Sequence, residues 1–209
     1  MQLYAITDRR QWAADEPTRR RELVRRAVEA AEAGVDYVQL REKDLSCGEL
    51  ERLADELLRA IRATGAATKL LINSRLDVAL AVGADGLHLA GGAMSAAEAR
   101  EIAKKAGRRE PLVISAACHS AVEAEQARAA GCDLALLSPI YEKPGTPLEG
   151  LGLEALRQAP KGWPMLALGG VNEGNAKECV LAGAAGVAGI RLFFGEGAAG
   201  RIARLRAEG

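Results

Sequence analysis

Short apolar runs alternate along the chain with longer stretches rich in Ala, Leu, Glu and Arg. The runs suit strands that are buried on both faces, and the longer stretches suit helices. We expect eight strands, near residues 2–6, 35–40, 69–72, 85–89, 111–115, 133–137, 164–168 and 186–190. We expect eight helices, near residues 18–33, 46–63, 75–82, 95–106, 120–130, 151–158, 172–181 and 198–206. This alternation predicts a parallel sheet that helices cover on its outer face.

A glycine that ends a helix recurs at a nearly constant spacing. Gly34, Gly83, Gly131 and Gly183 each stand just before an apolar run and lie 49, 48 and 52 residues apart. Glycine tolerates the left-handed turn that ends many helices. The spacing is about twice the length of one strand–helix unit. We therefore predict an α/β fold, a (β/α)8 TIM barrel, as a single domain over residues 1–209.

Composition narrows the class of partner. The 28 basic and 28 acidic residues cancel, which argues against a general binder of nucleic acid or anionic membranes and favours small molecules. Aromatic residues make up only 3% of the chain, so the core must be built from smaller aliphatic side chains. The chain enters a strand pattern directly at its start, without a signal or membrane segment, so we expect a cytoplasmic protein. We expect reduced thiols, because no Cys-x-x-Cys pair occurs among Cys47, Cys118, Cys132 and Cys179.

In such barrels the chemistry gathers on the loops that follow the strands. After the second strand, alternation places Gln39, Arg41 and Lys43 on one side, where the two cations could hold a phosphate or carboxylate. The other interpretation is a solvated charge run paired with Glu42. After the third strand, Asn73 could bind a ligand or cap the next helix.

The two histidines occupy different kinds of position. His119 follows the fifth strand at a loop mouth, where an imidazole can transfer protons near neutral pH, although a structural hydrogen-bonded role is the alternative. His88 lies closer to a strand interior, which favours a structural role. The loop after strand six is long and rich in turn residues, and is a candidate lid with Lys143 at its charged tip and Thr146 as a further candidate contact.

Glycines follow the last two strands, where barrels of this type commonly bind phosphate on bare backbone amides. We expect phosphate at Gly169, Gly170, Gly189 and Ile190, with Arg191 adding a charge-assisted bond.

Five segments together resemble the thiamin phosphate synthase and thiazole tautomerase family. They are residues 4–8 (YAITD), 38–43 (VQLREK), 83–89 (GADGLHL), 166–171 (LALGGV) and 182–187 (AGAAGV). The resemblance runs in order over nearly the whole chain. It implies a (β/α) barrel that binds a thiazole phosphate on the amides around Gly170 and Gly189.

Membership does not choose the reaction. The synthase couples a pyrimidine diphosphate to the thiazole phosphate. For that enzyme the resemblance implies a magnesium ion held by two aspartates. One follows the Asn at the end of strand three, and the other lies just beyond the His-Leu-Gly-Gln motif of strand four. This chain has Ser74 and residues 90–93 (AGGA) at those places, and Ala117 replaces a family Ser. The tautomerase branch is similar to this chain in its small residue after Asn73, its His119–Ser120 pair and residues 148–152 (LEGLG).

We therefore expect a thiazole tautomerase-like enzyme of thiamin biosynthesis that aromatises a carboxy-thiazole phosphate by proton transfer. His119 and Glu42 are the candidate catalytic groups. We expect no metal or other cofactor for this reaction. The first alternative is a thiamin phosphate synthase, and only that enzyme would need magnesium. Arg41, Lys43, Asn73 and Lys143 match family positions that contact diphosphate, which supports that alternative. The second alternative is a non-catalytic regulator that binds thiazole phosphate. The chain could form a homo-oligomer.

Overall fold

The computed structural model describes residues 1–91, 94–142 and 149–208. Eight parallel strands pair in chain order and close into a barrel, with β8 returning to β1. The strands are β1 (Gln2–Ile6), β2 (Tyr37–Leu40), β3 (Lys69–Asn73), β4 (Gly86–Leu89), β5 (Val113–Cys118), β6 (Leu134–Leu137), β7 (Met165–Ala167) and β8 (Gly186–Gly189). The prediction of a (β/α)8 barrel is confirmed.

A helix follows each strand and covers the outside of the barrel. The helices are α1 (Glu16–Glu32), α2 (Cys47–Ala63), α3 (Leu76–Val82), α4 (Ala96–Lys105), α5 (Ala121–Ala129), α6 (Gly152–Arg157), α7 (Ala176–Leu181) and α8 (Ala198–Ala207). Ser120 caps the start of α5, since its hydroxyl accepts the backbone N–H of Glu123 at 3.1 Å. All four cysteines are free. Within the described ranges, no helix combines the length and apolar character that crossing a membrane requires.

Two boundaries differ most from the sequence prediction. Strand β5 runs on to Cys118, so Ala117 and Cys118 belong to the strand and not to the loop after it. Helix α7 begins four residues later than predicted, because Asn172 and Asn175 fold the preceding segment into side-chain turns. The Asn172 side chain accepts the N–H of Gly174, and the Asn175 side chain accepts the N–H of Asn172, both at 2.8 Å.

An aspartate recurs at the predicted helix-to-strand joints. Asp36, Asp85 and Asp133 stand directly before β2, β4 and β6. Each aspartate makes two hydrogen bonds to a single residue of the preceding strand. Its backbone N–H donates to the carbonyl of that residue, and its carboxylate accepts the backbone N–H of the same residue. The strand residues are Leu3, Leu70 and Ile114.

A helix arginine completes each of these three joints. Asp36 pairs with Arg206 of α8, Asp85 with Arg62 of α2, and Asp133 with Arg100 of α4. At the fourth joint Ala185 donates its backbone N–H to the Met165 carbonyl but has no carboxylate to accept the returning N–H. The near-regular glycine spacing therefore marks a structural repeat of two strands.

The barrel interior combines an apolar cluster with a group of buried polar side chains. The cluster consists of Tyr4, Ile6, Leu71, Leu134, Leu136, Leu166 and Ala188. The buried polar side chains are Gln39, His88 and Ser115, and the Tyr4 hydroxyl joins them. This polar group forms the floor of the candidate site.

Candidate active site

The loops after β1 and β2 are joined by a buried carboxylate. Glu42 accepts the Thr7 hydroxyl at 2.6 Å, the Arg9 backbone N–H at 3.2 Å on both oxygens, and Arg9 Nη1 at 2.9 Å. Thr7 in turn accepts the backbone N–H of Arg41 at 3.0 Å. We call Thr7, Arg9 and Glu42 the β1–β2 clamp. It fixes the backbone that carries Arg41.

Arg9 is a component of the site that sequence reasoning missed. Its side chain is 3% exposed and also pairs with Glu16 and Asp44 at the surface. Burial raises the pKa of Glu42, although hydrogen bonds from Thr7 and Arg9 oppose the shift. The candidate catalytic carboxylate of the sequence analysis is therefore held by its neighbours, and the clamp geometry favours a positioning role for it.

Arg41 and Lys43 line one cleft of about 210 Å³ together with Arg10, Asp8, Glu42 and Asp44. Within the described part of the chain, neither Arg41 nor Lys43 makes an ion pair. Glu42 and Asp44 are instead occupied by Arg9. The predicted convergence of the two cations is thus present, and the expected surface pair with Glu42 is not formed. The cleft is suited to an anionic group.

The floor beneath the mouth is a chain of buried hydrogen bonds. Gln39 Nε2 donates to the Tyr4 hydroxyl at 3.1 Å, and that hydroxyl lies 3.0 Å from Ser115 Oγ. Ser115 Oγ lies 2.8 Å from His88 Nδ1. Tyr4 and Ser115 were not singled out from the sequence, because a lone Tyr or Ser in an apolar run usually belongs to the core.

Asn73 ends β3 beside His88, its register partner on β4. It does not cap α3, whose N-cap residue is Arg75 without a side-chain cap bond. Its Oδ1 is buried and has no hydrogen-bond partner in the described ranges. A buried acceptor without a partner is costly, so the geometry favours the ligand-binding interpretation of Asn73.

His119 lies exposed at the mouth, after β5. Its Nδ1 is 2.7 Å from the carbonyl oxygen of Ser138, and its backbone N–H donates to Glu123 at 2.7 Å. A carbonyl only accepts, so Nδ1 must carry the proton and the neutral ring has its free lone pair on Nε2. The imidazole therefore has both a structural bond and a nitrogen able to take a proton.

The ends of β7 and β8 lie side by side. The register pairs Leu166 with Gly186 and Ala167 with Val187 at the ends of these strands. The backbone N–H groups of Gly170, Ile190 and Arg191, in the segments that follow β7 and β8, have no acceptor in the described ranges. Phosphate binding by these N–H groups, with the exposed Arg191 beside them, stays a prediction.

Gly170 has a second reason to be glycine. Its φ is +68°, and a Cβ there would lie 2.6 Å from the Cβ of Tyr141. The Tyr141 N–H donates to the carbonyl of Gly169 at 3.0 Å, so the loop after β6 is anchored on this turn. Of the remaining site candidates, Lys143 and Thr146 lie outside the described residues.

A family model described as thiamine monophosphate synthase matches residues 3–193. The chain belongs to the thiamine monophosphate synthase family. A Geobacter sulfurreducens protein provisionally named thiamine-phosphate synthase is 42% identical over 93% of this chain and 87% of its own length. The thiamine-phosphate synthase of Syntrophomonas wolfei is 36% identical over 92% of this chain and 88% of its own length. Among solved structures, thiamine phosphate pyrophosphorylase from Pyrococcus furiosus superposes with a TM-score of 0.80 at 31% identity, over 99% of this chain and 94% of that one.

Family membership confirms the predicted resemblance at family level and supports an enzyme of thiamin biosynthesis. The names of these relatives favour the synthase over the tautomerase, so the main prediction of an isomerase gains no specific support from them.

The residues at the expected magnesium position do not fit that ion. Ser74 follows β3, and Ala90 and Gly91 follow β4 without a carboxylate. Asp77 is engaged by Arg75, whose hydrogen bonds lower the pKa of this carboxyl to about 2. Residues 1–91, 94–142 and 149–208 contain no group of three or more His, Cys, Asp or Glu side chains able to hold a metal.

Proposed function

We propose that this protein is an enzyme of thiamin biosynthesis that binds a thiazole phosphate, with the phosphate on the backbone amides after β7 and β8. Three unpaired N–H groups, of Gly170, Ile190 and Arg191, support the placement, because such amides suit an anion. The cleft after β2, where Arg10, Arg41 and Lys43 stand beside Asp8, Glu42 and Asp44, would take a second anionic group on its arginine and lysine side chains. The observation that carries the proposal is the group of three N–H donors without an acceptor in the described ranges, together with the arginine and lysine side chains of this cleft.

The first candidate reaction is the transferase reaction, coupling a pyrimidine diphosphate to the thiazole phosphate. The full-length similarity to synthases supports it. The leaving diphosphate would need its charge neutralised, and in this chain Arg10, Arg41 and Lys43 are the cations grouped in the cleft. Asn73 and Gln39 would orient the ring systems at the floor.

The second candidate is the isomerase reaction of a thiazole tautomerase. Ser74 and residues 90–93 carry no carboxylate, which favours it. The position of His119 also favours it, because its Nδ1 is bound to the Ser138 carbonyl and its Nε2 has no partner in the described ranges. The base would take the proton at Nε2 while Nδ1–H stays bound to the Ser138 carbonyl. The second anion would then be the substrate's own carboxylate, held by Arg41.

A paired assay separates the candidates. The protein is given a pyrimidine diphosphate with the thiazole phosphate, and separately the unaromatised carboxy-thiazole phosphate, each with magnesium and with a chelator. Diphosphate release with thiamin phosphate formation supports the transferase, and isomerisation without coupling supports the tautomerase. Arg41→Met should impair either reaction, while Arg59→Met on the exposed face of α2 serves as the matched control.

Binding of thiazole phosphate without either reaction would contradict both candidates and favour the non-catalytic regulator. Failure to bind thiazole phosphate at all would refute the proposed function.

A further inference from the structure

The hydrogen-bond chain on the barrel floor has one direction. Gln39 Nε2 is a donor, so the Tyr4 oxygen accepts from it and has one proton of its own to give. The other hydrogen-bond partner of that hydroxyl in the described ranges is Ser115 Oγ, at 3.0 Å. The serine proton is then directed to His88 Nδ1, 2.8 Å away. In the reverse direction the Tyr4 proton would have no acceptor in this chain of bonds.

This direction fixes the tautomer of His88. Nδ1 accepts a hydrogen bond, so in the neutral ring the proton resides on Nε2. Burial, with a smaller contribution from the Arg41 charge, lowers the pKa of His88 to about 3, which keeps the ring neutral. Burial also raises the pKa of Tyr4, so its hydroxyl keeps the proton that the chain requires.

His88 is 5% exposed, and its Nε2 has no hydrogen-bond partner in the described ranges. The residue lies on the polar inner side of β4, next to Asn73 on β3 and Ser115 on β5. Nε2 is not among the fully buried unpaired atoms, so its N–H is accessible to a ligand at the floor of the site. Beside it, the unpaired Asn73 Oδ1 offers an acceptor.

We propose that His88 presents its Nε2–H as a neutral hydrogen-bond donor to an acceptor atom of the heterocyclic substrate, and that Ser115, Tyr4 and Gln39 are positioning residues that hold this tautomer. The inference rests on the proposed function for the identity of the substrate. It goes beyond the structural role that the sequence analysis favours for His88. The two histidines then have opposite tautomers, with His119 offering a lone pair on Nε2 and His88 a proton on Nε2.

The first test reads the tautomer in the free protein. The chain contains two histidines, so ¹⁵N-histidine labelling gives two imidazoles, and His119→Gln assigns the remaining one. We expect His88 to show a protonated Nε2 and a bare Nδ1, without titration from about pH 5 to 9. Ser115→Ala should redistribute the proton between the nitrogens, and Ser115→Thr, which keeps the hydroxyl, should restore it. An Nδ1–H tautomer in the parent, or an unchanged spectrum in Ser115→Ala, would overturn the inference.

The second test reads the substrate contact. Ser115→Ala should weaken thiazole phosphate binding by about tenfold, the size expected from one uncharged hydrogen bond, with rescue by Ser115→Thr. Tyr4→Phe removes the preceding hydroxyl of the hydrogen-bond chain and should cause a smaller loss of affinity for thiazole phosphate. Equal affinity of the parent and Ser115→Ala would refute the substrate contact. If the parent binds no thiazole phosphate, the proposed function fails and the contact fails with it, whereas the tautomer result stands on its own.

Discussion

Removing Arg9 tests the β1–β2 clamp most directly. Arg9→Met keeps a long apolar side chain but leaves the Glu42 carboxylate buried without its countercharge. The two side chains are 3% and 2% exposed, and Arg9 Nη1 lies 2.9 Å from Glu42. The other partners of Arg9 are Glu16 and Asp44, whose side chains are 49% and 41% exposed.

The magnitude follows from this difference in burial. Breaking a buried pair by deleting one partner typically costs about 3–5 kcal/mol, because the remaining charge is not compensated. The two surface pairs add at most about 1 kcal/mol each. The total cost is about 3–7 kcal/mol. For a chain of this length each kcal/mol lowers Tm by about 2–4 °C, so Arg9→Met should melt roughly 6–28 °C below the parent.

The loss should depend on pH in a definite direction. Burial raises the pKa of Glu42 above its usual 4.5, so between the two values the folded state binds more protons than the unfolded state. The stability that Glu42 contributes is therefore present below pH 4.5 and lost as pH rises through the folded pKa. Deleting Arg9 raises that pKa further, so the destabilisation should be small in acid and largest near pH 8.

Thermal unfolding followed by circular dichroism from pH 4 to pH 8 measures this effect. Arg10→Met, at an exposed neighbouring position, is the matched control and should change Tm little. If Arg9→Met lowered Tm no more than Arg10→Met, or if its decrease in Tm were independent of pH, the buried-pair reasoning would be refuted.

Three further predictions concern the mouth. Gly170→Val should bind thiazole phosphate weakly and also lose stability, because the new side chain meets Tyr141; unchanged calorimetric affinity would contradict the phosphate assignment. His119→Gln should lower turnover by about a hundredfold to ten-thousandfold with little change in ligand affinity, and near-parental steady-state rates would reject its proton role. Arg201 donates to the carbonyls of Leu192 and Phe194, both at 3.1 Å, and so holds the loop after β8. Arg201→Met should therefore weaken the binding of inorganic phosphate. An unchanged phosphate titration would show that the loop needs no such support.

The sequence predicts the barrel well because each apolar run is long enough to be buried on both faces, and every second helix-to-strand joint carries a glycine signal. The cationic pair Arg41 and Lys43 could also be predicted, since alternation and loop position suffice. Arg9 could not, because its role comes from Glu42, 33 residues away along the chain. Ser115 was missed for a similar reason, since its partner Tyr4 is 111 residues distant. The site chemistry therefore depends on contacts that closure of the barrel creates.

The aspartate joints also divide the barrel into separable pieces. Each carboxylate ties β1 to β2, β3 to β4 or β5 to β6, so new chain termini placed between α2 and β3, near Gly65, would leave every doubly bonded strand pair intact. Termini near Gly34 would instead interrupt the connection within the first pair. Circular permutants with new termini near Gly65 should fold more readily than those with new termini near Gly34. The two-strand unit is therefore the natural segment for splitting, exchanging or duplicating parts of this chain.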